Sequence, residues 1–125
     1  MNKIINTKNA PKAIGPYSQA VISNGLIFTA GQICLKPDSG ELNDEDFIIE
    51  VEQVFENIKA ILENADTNMS KIVKCTVYIT DLNNFEIVNK VFEKYFKNEP
   101  PARSVVEVSK LPKNVNIEID VIASL

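Results

Sequence analysis

Four stretches of the chain carry side chains able to do chemistry. In Pro100-Pro101-Ala102-Arg103-Ser104, two prolines restrict the backbone just before a strand-like run, Val105 to Val108, and would hold Arg103 in a defined direction. A guanidinium held that way clamps a carboxylate through two parallel hydrogen bonds and stays charged at any working pH. Glu118 and Asp120 lie two apart in an alternating run, so both point to one face of a strand. Burial raises the proton affinity of such a carboxylate and a nearby Arg lowers it, which suits it to activating water or relaying a proton. Gly15-Pro16-Tyr17-Ser18-Gln19 and Thr29-Ala30-Gly31-Gln32 border further strand-like runs, where glycine permits close approach and Tyr17 offers a ring face with a hydroxyl tip. Each stretch also has a plain structural reading: a surface Arg paired with one of 17 acids, an outward strand carboxylate, and turn chemistry.

What the chain lacks narrows the chemistry. It has no histidine, which excludes Ser-His-Asp and Cys-His nucleophile systems, HExxH zinc sites and three-histidine metal sites within one chain type. Cys34 and Cys75 form no CxxC pair and are expected to be reduced and buried. Glu118 and Asp120 have no third oxygen ligand spaced to help hold a hard cation, so no metal is expected. Four glycines include no phosphate loop and no dinucleotide fingerprint. Thirteen basic against 17 acidic residues give a formal charge of -4, which opposes nucleic-acid binding. No apolar run approaches the roughly 20 residues of a spanning helix, Ile4-Ile5 is too short for a signal-peptide core, and a cytoplasmic location is expected.

The elements that must position these residues are readable in outline. The 125 residues suit one domain over 1–125. Phe47, Val51, Val54, Phe55, Ile58, Ile61, Leu62 and Ala65 recur at a helical period, with Glu50, Glu52, Glu56, Lys59 and Glu63 between them and Asp44 or Asp46 as cap. A second helix carries Phe85, Val88, Phe92, Tyr95 and Phe96 on one stripe, with Asn83 and Glu86 spaced as a capping box. Val73, Cys75, Val77 and Ile79 alternate with polar residues, as do Val115 to Ala123, while Asn24-Gly25 between apolar runs signals a type I′ hairpin. Residues 2–6 and 103–108 are further strand candidates. The order predicts an α+β fold: a mixed sheet with both long helices on one face, leaving Lys74, Thr76, Tyr78, Glu118, Asp120 and Ile122 on the other. That open face can meet water or a second copy of the chain.

Taken together, the segments resemble the RidA/YjgF family of enamine/imine deaminases. The likeness runs through Asn9-Ala10-Pro11, Ile14-Gly15-Pro16-Tyr17-Ser18-Gln19-Ala20, Phe28-Thr29-Ala30-Gly31-Gln32-Ile33, Val77 to Phe85, Pro101-Ala102-Arg103-Ser104, Leu111-Pro112 and Ile117 to Ala123, nearly end to end. The resemblance implies a chorismate-mutase-like fold, a homotrimer whose sheets form an inner barrel, and sites in clefts between subunits. It implies metal-independent hydrolysis of 2-imino acids and their enamine tautomers to 2-oxo acids and ammonia, without a cofactor. Arg103 would hold the substrate carboxylate and Glu118 would orient or activate water. Tyr17, Gly31, Phe85, Asn89 and the backbone of Val105 would line the pocket.

Two positions depart from the pattern. Val105 stands where many relatives have Cys, and Ala30 where many have Ser, which bears on substrate preference. The alternatives are a non-catalytic module that binds 2-oxo acids, and a ribonuclease or translation inhibitor, which the charge and the missing histidines disfavour. A holdase-type chaperone role leaves no motif to read.

Overall fold

A computed structural model describes residues 2–125. The elements are β1 (Lys3–Ile5), β2 (Ala20–Ser23), β3 (Leu26–Thr29), α1 (Phe47–Asn64), β4 (Ile72–Ile79), α2 (Phe85–Tyr95), β5 (Ala102–Glu107) and β6 (Ile117–Ser124). They form one mixed six-stranded sheet in the order β1-β2-β3-β6-β4-β5, antiparallel throughout except for the β4–β5 pair, which α2 connects. Asn24 and Gly25 take φ of 52° and 77°, as the type I′ turn between β2 and β3 requires.

Both helices cover one face. α1 starts where Asp46 accepts a hydrogen bond from the Ile49 N–H at 2.9 Å, and it buries Val51, Val54, Phe55, Ile58, Ile61 and Leu62. These pack on the inward row of Cys75, Val77, Ile79, Ile117, Ile119, Val121 and Ala123. Phe55 also receives the ring edge of Phe92 at 5.1 Å and stacks with Tyr95 at 4.8 Å, joining α1 to α2. Among the described residues no helix is long and apolar enough to cross a membrane.

Three local expectations are corrected. Val73 does not join the inward row: the β4–β6 register slips between Ile72 and Lys74, so Ile72 turns inward and Val73 is exposed. Asn83 and Glu86 form no capping box. The chain first makes a 3₁₀ turn over Leu82–Asn84, capped by Asp81 accepting from the Asn83 N–H at 2.9 Å, and α2 begins after Asn84 with no side-chain cap. Glu50 is 1 % exposed rather than on the solvated face of α1. Its carboxylate accepts from the backbone N–H groups of Asn116 (2.7 Å) and Ile117 (3.2 Å) and from Asn116 Nδ2 (2.9 Å), tying α1 to the start of β6.

Cys34 and Cys75 are free and buried, and burial pushes their thiols up to about 11 and about 12. Neither is a reactive nucleophile at neutral pH.

Candidate functional site

The face that the helices leave open carries Glu118. In-register neighbours share a face, so Glu118 sits in a row with Tyr78 and Val106, next to the row of Asp120, Thr76 and Ser104. Its carboxyl turns into a cleft of about 290 Å³ that Tyr17, Gly31 and Pro112 also line. Contact with Gly31 is close: a Cβ at that position would lie 2.2 Å from Glu118 Oε2 and 2.7 Å from Cδ. Glycine is therefore needed there for the space the carboxylate occupies, not for an unusual φ.

The cleft wall is held by side chains buried beneath it. Gln32 and Ile119 exchange backbone hydrogen bonds of 2.8 and 3.1 Å, keeping Gly31 beside β6. Asn57, fully buried on α1, donates to the carbonyls of Ile33 (3.1 Å) and Leu35 (2.9 Å) and accepts from Gln53 Nε2 at 2.9 Å. Gln19 secures the opposite wall: its Oε1 accepts from the Thr7 N–H at 2.7 Å, and its amide NH₂ donates to the carbonyls of Thr7 (3.0 Å) and Pro11 (2.8 Å). That anchor fixes the loop before Tyr17, whose hydroxyl accepts from the Ile14 N–H at 3.4 Å and whose ring is half exposed.

Burial raises the proton affinity of Glu118, and the negative charge of Asp120 raises it further. Asp120 is raised by burial as well. Each carboxyl therefore holds a proton more tightly than an exposed one does.

Arg103 lies elsewhere. Its strand position pairs with Cys75, which pairs with Val121, both inward residues, so Arg103 projects from the helix-covered face at the edge strand β5. Its guanidinium sits 4.7 Å from the Phe92 ring and 5.3 Å from the Phe85 ring, two aromatic faces that restrict where the cation can point. Asn89, Phe92 and Arg103 line a groove of about 460 Å³ with Pro100 and Pro101. Val105, on the same face as Arg103, packs against the core beside Val77.

One chain therefore assembles the expected residues as two groups, Tyr17, Gly31 and Glu118 on one face and Arg103, Phe85 and Asn89 on the other. It does not bring Arg103 to Glu118. Phe92 emerges as the ring nearest the guanidinium, a role hidden in sequence because it falls on the same stripe as core residues. Gln53 and Asn57 were equally unmarked, and Gln19 stood in the Gly15 to Gln19 stretch without an anchoring role, since buried amides carry no signal until their carbonyl partners are known. Among the described residues no three His, Cys, Asp or Glu side chains converge as metal ligands.

Comparison with known proteins follows the same outline. The family described as Endoribonuclease L-PSP matches residues 7–125. A RutC family protein of Pyrococcus horikoshii is 50% identical over 123 residues, covering 98% of each chain. The crystal structure of YyfA from Yersinia pestis, a protein of the conserved Rid family, superposes with a TM-score of 0.97 at 49% identity over 100% of both chains. The Escherichia coli protein TdcF, crystallised with bound serine, gives a TM-score of 0.94 at 43% identity over 98% of both.

Proposed function

Because the chain belongs to the RidA/YjgF family, we propose that it is a 2-imino acid deaminase, acting on small imines such as 2-iminobutanoate and 2-iminopropanoate. In the reaction, water adds to the C=N carbon and one of its protons passes to the nitrogen, giving a carbinolamine; the remaining hydroxyl proton then passes to the nitrogen as the C–N bond breaks and the C=O forms. The products are a 2-oxo acid and ammonia, with no redox change and no further reactant. An iminium carbon is already electrophilic, so positioning and proton transfer supply most of what is needed.

The observation that carries the reading is Glu118, a desolvated carboxylate pressed against Gly31 in a cleft with Tyr17. It receives the proton of the attacking water and returns it to the leaving nitrogen. Arg103 holds the substrate carboxylate, and Phe85 and Asn89 flank it. Since the two groups occupy opposite faces of one sheet, the site is completed by a second copy of the chain, with Arg103 from one subunit facing Glu118 of another. A homotrimer closes such a heterologous contact. Exposed Ile4, Phe28 and Val106 on the Glu118 face fit burial against a neighbour. Serine bound to TdcF supports a ligand of amino-acid size that bears a carboxylate.

The test couples a threonine dehydratase to semicarbazide trapping of the imine. Addition of the protein should accelerate 2-oxobutanoate release and reduce trapping; no acceleration rejects the proposal. The family's description favours a second reading, ribonuclease action. Without histidine, and with a net charge of -4, that chemistry would also fall to Glu118. RNA cleavage lost in Glu118→Gln would support it, and cleavage that survives the substitution would indicate a contaminant.

A further inference from the structure

The Glu118 cleft does not end at Tyr17 and Gly31. A second groove of about 430 Å³ adjoins it, and the two share Pro11, Lys12, Ile14, Leu35 and Lys113 in their linings. Lys8 and Lys36 also line the second groove, which therefore gathers four of the chain's 13 basic residues. Asp38 is its one acidic residue, and Asp38 Oδ1 already accepts from the Ser39 N–H at 2.7 Å. Even counting Glu118, the joined grooves hold four positive and two negative side chains, against a net charge of -4 for the chain.

None of these lysines is engaged. Among the described residues the only ion pair is Lys94–Glu52, and the ammonium groups of Lys8, Lys12, Lys36 and Lys113 donate no hydrogen bond within the protein. Lys113 is also held in a costly backbone state. Lys113 and Asn114 take φ of 56° and 57°, and lysine, unlike asparagine, gains nothing locally from the left-handed region. Bonds from Asn114 N to Leu111 O and from Val115 N to Pro112 O maintain the turn that presents Lys113 to both grooves.

We infer that the lysine groove is a subsite for a second anionic group, so that the site accepts imino acids bearing a distal carboxylate. Lys12 and Lys113 stand where the two grooves join, and Lys8 and Lys36 lie beyond them. A substrate with its imine carbon at Glu118 and a side-chain carboxylate reaching past Lys12 would bring opposite charges together in a partly enclosed space. The inference rests on the deaminase reading only for the identity of the reacting end.

The experiment compares imines generated in place by amino-acid oxidases, with catalase present, from glutamate, aspartate and 2-aminobutyrate. Hydrolysis is read by semicarbazide competition. The ratio of kcat/KM for a diacid imine over 2-iminobutanoate should exceed one. It should fall about 2- to 5-fold for each lysine removed in Lys8→Met and Lys36→Met, and fall further in Lys36→Glu. Raising salt from 50 to 500 mM should compress it, because exposed charges are screened.

Inhibition gives a readout free of chemistry: 2-oxoglutarate should bind more tightly than 2-oxobutanoate, and the difference should shrink in the lysine variants. If no imine is hydrolysed but this binding preference persists, the deaminase reading fails and the subsite stands. If 2-iminobutanoate is hydrolysed and neither ratio moves in the lysine variants, the inference is overturned while the deaminase reading survives. It is equally overturned if a short RNA binds through Lys8 and Lys36 and the diacids show no advantage.

Discussion

The two faces of the sheet treat their functional side chains differently. On the helix-covered face, Arg103 is oriented by its own subunit: prolines precede its strand, and Phe92 and Phe85 lie 4.7 and 5.3 Å from the guanidinium. On the open face, Glu118 has a close neighbour in Gly31 and a like charge in Asp120, and among the described residues it forms no ion pair, although Lys12 and Lys113 line the same cleft. One half of the site is finished within the fold, and the other is left with a raised proton affinity for something else to complete. That asymmetry is what a shared site between copies requires, and it can be broken experimentally.

The largest effect should come from separating the halves. If Arg103 pairs with the substrate carboxylate as proposed, Arg103→Ala should cost about 2 to 5 kcal/mol of transition-state binding in kcat/KM. Glu118→Gln should be comparably inactive. If each site takes Arg103 from one copy and Glu118 from the next, mixing the two inactive variants and allowing subunits to exchange should restore about a quarter of wild-type activity. Activity that stays at the background of the separate variants, despite mixed oligomers seen by native mass spectrometry, would disprove the shared site.

A smaller loss tests how Glu118 is held. In Gly31→Ala the new methyl would fall 2.2 Å from Oε2, so the carboxylate must swing away. Because the yielding atoms end a flexible side chain, stability should change little, with a melting shift within about 2 °C. If Glu118 carries the proton as proposed, displacing it by about 1 Å should lower kcat/KM roughly 10- to 100-fold. A fully active Gly31→Ala would show that the position of the carboxylate does not matter.

On the Arg103 side the effect should be milder. Phe92→Leu removes the nearer ring and should reduce kcat/KM about 3- to 5-fold, consistent with a cation–π contact of about 0.5 to 1 kcal/mol. Phe96→Leu is the control, since Phe96 meets Phe55 edge-to-face and Phe92 at a tilt without lying over the guanidinium. Equal losses in both variants would assign the effect to core packing.

The same contrast explains how much was legible in the sequence. Periodicity located both helices and the central strands, and Asn24-Gly25 marked its turn, because those signals are local. Glu50 looked like one more charge on a solvated helix face; it is buried because two backbone N–H groups 66 and 67 residues away need an acceptor. The slip at Val73 and the separation of Arg103 from Glu118 depend on strand register, which tertiary pairing sets. Alternation places Glu118 and Asp120 on one face, but only the pairing of β4 with both β5 and β6 shows that Arg103 is on the other. The lysines of the second groove come from three separated loops and share no motif.

The smallest predicted effect is on stability, and its sign reports whether the halves meet. Burial raises Glu118 above its ordinary value of 4.5, so the folded subunit is penalised for carrying the ionised form. Stability from this group is full below the unfolded value and is lost as pH rises through the folded one. Glu118→Gln should therefore raise the melting temperature at pH 7, by about 1 to 3 °C, and the gain should vanish below pH ~4. In an assembly where Arg103 of a neighbour reaches Glu118, the cation favours the ionised form and opposes that gain. The gain should then be larger in an Arg103→Ala background than in wild type, a coupling measurable by a double-mutant cycle across the two substitutions. Identical shifts in both backgrounds would mean that the guanidinium and the carboxylate do not sense each other, and the two faces of the sheet would have to be assigned to separate tasks.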